Sequence, residues 1–208
     1  MGEPAVKYTF TIEEYLEREK ASLVKHEYHE GEIFAMAGGT PRHSIIVNNV
    51  GGELRNVLKG KPCVAHSSET QLATSPRRFV YADGSVICGK LTSFEENPLA
   101  ANNPVVIVEV LSDSTSAYDR GGKFMRYRQI PSFREYVLIE QRFPQVDVFF
   151  RTESGLWKIS SYEDLSADVE IQSLHVKIPM AELYVNVEFD TPSAEDGFAN
   201  HPFLRPES

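Results

Sequence analysis

Three charged side chains stand where charge is costly. Glu109 interrupts the run Val105-Val106-Ile107-Val108-Glu109-Val110-Leu111. A β-branched run this short reads as a strand buried on both faces. An unpaired carboxylate there costs several kcal/mol or gives up its charge. Glu109 therefore needs a partner: a lysine, an arginine, a hydrogen-bond cluster or a metal ion. Asp83 heads a second apolar stretch, Tyr81-Ala82-Asp83-Gly84-Ser85-Val86-Ile87-Cys88. Next to Gly84 it reads as a turn aspartate bonded to its own backbone or as a metal ligand. Two carboxylates on neighbouring strands, with a backbone carbonyl and waters, form a hard-oxygen site suited to Mg²⁺. The 26 positions between the two acids leave room for such strands to meet.

Lys123 follows on a helix expected from about Tyr118 to Gln129, where Asp119 and Lys123 are spaced i and i+4 and share a face with Tyr127. The pair is either an exposed ion pair of little value or a cation lying over the end of the Glu109 strand. In the second case it could orient a water and stabilise charge developing on a phosphate. This helix carries Arg120, Lys123, Arg126 and Arg128 against Asp119 alone. Glu27, in Lys25-His26-Glu27-Tyr28, matters only if a third acid is wanted. His26 and His29 differ in strand parity and point to opposite faces. His43 suits a capping or hydrogen-bonding role better than catalysis. The sequence holds no Gly-x-Ser-x-Gly elbow, phosphate-cradling loop or dinucleotide fingerprint.

The elements that must hold these residues follow from periodicity. Thr11-Ile12-Glu13-Glu14 has capping-box spacing and opens a helix to about Lys20. Val24 to Ala37 alternates around His29-Glu30-Gly31, a hairpin. Ile46, Val50, Leu54 and Val57 recur at helical spacing and mark the longest helix, His43–Leu58, in which Gly51-Gly52 costs stability. Short strands are expected at about Cys63–Ser67, Thr70–Ala73 and Phe79–Cys88, then a polar loop over 89–103, the Val105–Leu111 strand and a Ser112–Ser116 cap. Pro131 ends the cationic helix. Strands at Glu135–Glu140, Val146–Arg151 and Trp157–Tyr162 and a helical turn at Pro179–Leu183 complete one α+β domain over 1–189, with 190–208 a tail.

A chain of 208 residues with 41% hydrophobic side chains can bury a sizeable core. Its net charge of −9 argues against coating nucleic acid by bulk charge, though not against a local basic groove or an acidic metal site. Cys63 and Cys88 fall in strand-like segments and read as core filler rather than a disulfide framework or zinc ribbon. No apolar run approaches the roughly 18 residues of a membrane-spanning helix. "MGEPAVKYTF" lacks a secretory pattern, and Val6 spoils a myristoylation start. A cytoplasmic location is expected.

An Asp heading one strand, a Glu inside the next and then "VEVLSDSTSAYDRGGKFMRYRQIPSFREYVLIE" resemble the Uma family of restriction-endonuclease-like proteins, within the PD-(D/E)XK nuclease superfamily. The stretch "KHEYHEGEIFAMAGGTPRHSII" is similar to the family's N-terminal motif, and the likeness runs from about Tyr8 to Phe189. The resemblance implies an α/β/α restriction-endonuclease-like fold: a mixed central sheet flanked by helices, with additional β-hairpins. The superfamily's Pro-Asp falls on Ala82-Asp83, and its (D/E)-x-K falls on Glu109-Val110-Leu111, where the lysine is missing. In the Uma family that lysine is thought to have moved to the following helix, at the place of Lys123. The resemblance thus implies Glu27, Asp83, Glu109 and Lys123 as catalytic residues and His43, Gln71 and Asp119 as supports. It further implies Mg²⁺ or Mn²⁺ on Asp83, Glu109 and Val110, with Arg120 and Arg126 against DNA and a homodimer as the assembly. A metal-dependent DNA endonuclease is the leading expectation. A non-catalytic nucleic-acid- or protein-binding module and a hydrolase of small phosphate esters remain alternatives.

Overall fold

The protein is described here from a computed structural model, over residues 9–36, 38–112 and 116–189. Helix α1 (Ile12–Ala21) starts at Thr11, whose hydroxyl accepts from the Glu14 N–H while Glu14 caps the Thr11 N–H in return. Strands β1 (His26–His29) and β2 (Glu32–Ala35) form the expected hairpin. Its two turn residues, Glu30 and Gly31, both take positive φ, as the twist of a two-residue hairpin requires. Helix α2 (Pro41–Val57) is capped by Thr40 and runs unbroken through Gly51-Gly52, burying Ile46, Val50 and Leu54.

Eight strands follow in the middle of the chain or beyond it that build two sheets. They are β3 (Cys63–Ser67), β4 (Gln71–Ser75), β5 (Arg78–Tyr81), β6 (Gly84–Cys88), β7 (Ser93–Phe94), β8 (Asn97–Ala101), β9 (Pro104–Leu111) and, after the helical segment, β10 (Glu135–Glu140). Helix α3 (Ser116–Tyr118) passes through a π-helical turn (Asp119–Lys123) into α4 (Phe124–Tyr127). Strands β11 (Val146–Arg151) and β12 (Trp157–Tyr162) match their expected spans. A ribbon of β13 (Asp168–Ile171) and β14 (Val176–Pro179) and the turn α5 (Met180–Leu183) close the described chain.

The first sheet has the order β2-β1-β5-β4-β8-β7 and the second β12-β11-β10-β9-β6-β3. Within the second sheet β9 and β10 are parallel and every other pair is antiparallel, so this sheet is mixed. A parallel neighbour needs a crossover, and α3–α4 supplies it. That crossover lays the cationic helix against β9. Alternate residues of β9 then meet different layers. Val106, Val108 and Val110 pack with Ile46, Val50 and Leu54 of α2, while Ile107 and Leu111 pack with Tyr127, Phe133 and Tyr136.

Three expectations need correction. The apolar run Phe79–Cys88 is not one strand: the chain leaves the first sheet at Tyr81 and enters the second at Gly84. Both halves are equally apolar, so patterning alone does not reveal the handover. The polar loop over 89–103 contains the β7–β8 hairpin, in which Asn97 is fully buried. Asn, Pro and Ala have weak strand preference, which hides it. Cys63 and Cys88 are not separate core filler. They stand in direct register across β3 and β6 and are joined as a disulfide. The N-terminal residues, the Asp113–Thr115 cap and the 190–208 tail lie outside the described residues. Among the described residues no helix is long and apolar enough to cross a membrane.

The disulfide closes a loop between residues separated by 25 positions, and on the chain-entropy account a loop of that size is stabilised by about 3 kcal/mol. Replacing both Cys63 and Cys88 by Ala should lower the urea midpoint accordingly, and reductant should shift the wild type but not the variant. A wild-type midpoint indifferent to reductant would remove the bond from the folded protein.

Candidate functional site

Strand β6 begins opposite Val108, at Gly84. One step further along the same register puts Asp83 beside Glu109, and facing residues of antiparallel strands share a face. Because β6 stops there, Val110 has no strand partner on that side, and side chains take its place. The Val110 N–H donates to Asp83 Oδ2 at 2.8 Å, and its carbonyl lies in hydrogen-bond contact with His43. His43 Nε2 is 3.2 Å from the same Asp83 oxygen. The helix start holds His43 in place: Thr40 accepts from the His43 N–H at 3.1 Å and donates to Gln141 Oε1 at 2.7 Å, just past the end of β10.

Glu109 is 3% exposed and faces the crossover helix. Lys123 Nζ lies 3.0 Å from Glu109 Oε1 and 3.0 Å from Asp119 Oδ1. Tyr127 donates to Glu109 Oε1 at 2.8 Å, and Tyr136 donates to the Asp119 carbonyl at 3.1 Å. The π-helical turn aims Lys123 and Tyr127 together at one carboxylate oxygen; such turns are frequent at functional sites. Gly122 fits this turn because a Cβ there would stand 2.7 Å from the Tyr118 ring.

Burial pushes the Glu109 carboxyl up to about 8, against the lowering pull of Lys123, with Asp83 and Asp119 adding to the rise. Burial alone would lower the Lys123 ammonium, but the Glu109 and Asp119 carboxylates outweigh it and hold the group above the usual lysine value. The hydrogen bond to Asp83 raises His43 despite its burial.

The structure therefore brings Asp83, Glu109, Lys123, Asp119, His43 and the Val110 backbone together. Glu27 is set apart. It accepts from the Tyr81 N–H at 3.2 Å and pairs with His29 Nε2 at 3.0 Å. Gln71 spends both ends of its amide elsewhere, on Tyr15 and Asn97. Arg120 is tied to Asp147 at 2.6 Å, and Arg126 bonds to the Tyr118 hydroxyl and lies over its ring. Tyr127 and Tyr136 are the site residues that sequence reasoning left without a role. Tyr127 could have been found from its i+4 spacing to Lys123.

Whether a metal fits can be asked of the donors. The hydrogen bonds to Asp83 reach Oδ2 and those to Glu109 reach Oε1. Among the described residues the other oxygen of each carboxylate has no such bond. No three His, Cys, Asp or Glu side chains among the described residues gather closely enough to cage an ion. Two carboxylate oxygens and one backbone carbonyl fit a hard cation of the Mg²⁺ type, which keeps several waters and relies on substrate oxygens. They do not fit a closed structural site.

The fold is restriction-endonuclease-like. The family model described as "Uma2: Putative restriction endonuclease" matches residues 12–181. Two uncharacterized proteins of Synechocystis are similar over most of their lengths: slr1290 is 33% identical over 182 residues (85% of this chain and 92% of that one). The other, sll1609, is 28% identical over 167 residues (80% and 94%). A crystal structure of a putative nuclease belonging to DUF820 from Anabaena variabilis superposes with a TM-score of 0.67 at 19% identity, covering 85% of this chain and 98% of that one. The chain belongs to the Uma2 family.

A buried carboxyl with a raised pKa favours the folded state most when protonated. Its stabilising contribution is complete below the unfolded value of 4.5 and is lost as pH rises through about 8. In metal-free protein, Glu109→Gln should therefore gain stability relative to wild type as pH rises from 4.5 to 8. Denaturant titrations across that window check it. A variant that instead loses ground at high pH would mean that the attraction of Lys123 and the Tyr127 hydrogen bond outweigh the burial of Glu109.

Proposed function

We propose that this protein is a Mg²⁺- or Mn²⁺-dependent endonuclease acting on DNA phosphodiester bonds. The observation that carries this reading is the Lys123 ammonium 3.0 Å from a buried Glu109 carboxylate, with Asp83 heading the neighbouring strand. A divalent cation bound by Asp83, Glu109 and the Val110 carbonyl would supply positive charge against the scissile phosphate and lower the pKa of a water.

The chain's own residues perform the remaining work. Lys123 donates hydrogen bonds toward the water and toward the phosphate oxygens on which charge accumulates. Asp119 and Tyr127 hold Lys123 and Glu109 so that neither must reorganise during the reaction. His43 and the Val110 N–H fix the Asp83 carboxylate. Cutting both strands with one site per chain favours a homodimer.

A second reading has one observation in its favour. Leu111, fully buried, stands where the superfamily places its lysine. On that reading the domain binds nucleic acid or protein without cutting.

Plasmid DNA should be nicked in Mg²⁺ or Mn²⁺ and protected by EDTA. Lys123→Ala should lower turnover by orders of magnitude with metal affinity largely retained, because its contribution lies in the transition state. Asp83→Asn should lose metal affinity in isothermal titration. DNA that is bound but never cut at any metal concentration would favour the non-catalytic reading.

A further inference from the structure

A groove of about 580 Å³ runs between α2 and β3, with Asp83 lining one end. His43, at the start of α2, touches Asp83, so the helix leads away from the candidate site along this groove. Exposed residues that line it are Asn48, Gly51, Gly52 and Arg55 of the helix and Lys59 just past its end. Their spacing of 3, 1, 3 and 4 places them on one stripe, opposite the buried Ile46, Val50 and Leu54.

Two features of this stripe have no explanation inside the protein. Gly51 and Gly52 cost a helix interior about 1 kcal/mol each relative to alanine, yet a Cβ at either position would meet nothing within 4 Å. No packing within the described chain demands their smallness. Arg55 and Lys59 are exposed, and among the described residues neither has an ion-pair partner. They are one turn apart and present two positive charges along the groove of a protein whose net charge is −9. Of the arginines in the crossover segment, by contrast, Arg120 is engaged with Asp147 and Arg126 with Tyr118.

We propose that this groove seats the sugar-phosphate backbone of one nucleic-acid strand as it leaves the candidate site. The inference rests on the nuclease reading and extends it to a substrate path. Gly51 and Gly52 let the backbone approach the helix closely, and Arg55 and Lys59 neutralise its phosphates. From His43 to Arg55 the helix rises about 18 Å. At the roughly 3.4 Å rise of a duplex strand, that places the phosphate at Arg55 about five nucleotides from the cut, with Lys59 beyond it. The groove is too small for a whole duplex, so it follows a single strand, free or as one half of a duplex.

Fluorescence anisotropy tests this in EDTA, where no cutting occurs, with labelled 20-mers in single- and double-stranded form. Arg55→Ala/Lys59→Ala should weaken binding at least tenfold and reduce the slope of log affinity against log salt by about two for a duplex, or somewhat less for a single strand. Gly51→Ala/Gly52→Ala should raise the melting temperature while weakening binding, a combination that a purely structural role does not produce. Preference for one of the two forms assigns the source of the strand. Unchanged affinity in both double variants, with wild type binding DNA, overturns the groove and leaves the nuclease reading standing. Failure of wild type to bind either 20-mer overturns the groove, and nicking of plasmid DNA in Mg²⁺ decides the nuclease reading separately. A wild-type dimer that dissociates on Arg55→Ala/Lys59→Ala with DNA affinity intact assigns the groove to a second copy of the chain and overturns the proposal.

Discussion

The structure around the candidate site depends on one buried charge pair, Glu109 with Lys123. A carboxylate inside a central strand is tolerable only if a cation reaches it with other hydrogen bonds in place. That requirement constrains the crossover after β9, which must return across the sheet so that position 123 falls over position 109. The parallel pairing of β9 and β10 sets the path, and the π-helical turn sets the angle. Tyr127 then closes the remaining side of the pair, and Asp119 gives the lysine a second anion. The three acids and one cation leave the cluster short of positive charge, which is why burial and the neighbouring carboxylates together raise Glu109.

The other half of the site is made by an ending. Strand β6 stops one residue short of Asp83, and this leaves the Val110 N–H and carbonyl unclaimed by the sheet. Buried backbone polar groups must find partners, and Asp83 and His43 supply them. The same geometry that satisfies the backbone brings a carboxylate beside Glu109. A continuous strand from Phe79 to Cys88 would have paired Val110 in the ordinary way and left no opening between the acids.

Much of this was legible in the residues. An acid within six aliphatic side chains announces a partner, and the i+4 relation of Asp119 and Lys123 announces a helix face turned toward it. Strands β10 to β12 follow from their β-branched and aromatic content. Three things were not legible for definite physical reasons. The handover between sheets at Ala82-Asp83 happens inside a uniformly apolar run. The pairing of Cys63 with Cys88 depends on register, which spacing does not encode. The engagement of Arg120 with Asp147 depends on a side chain two strands further on, so the cationic helix looked freer to meet a ligand than it is.

That last point changes where basic charge counts. Sequence reading concentrates it on the helix after Glu109, since four cations there face a single acid. Folding turns that helix inward: Lys123 is consumed by two carboxylates, Arg120 by Asp147, and Arg126 and Arg128 by the rings of Tyr118 and Phe124. An ion pair already made within the chain must be broken before its cation can neutralise a phosphate, so Arg120 gains little from binding a polyanion. Cations without internal partners release the most counterions on contact and dominate affinity. Arg55 and Lys59 meet that condition, at the end of a helix that sequence patterning identified only as structural. The Lys123 cluster of the candidate site and the proposed strand contacts of α2 thus lie on opposite faces of the same strand β9.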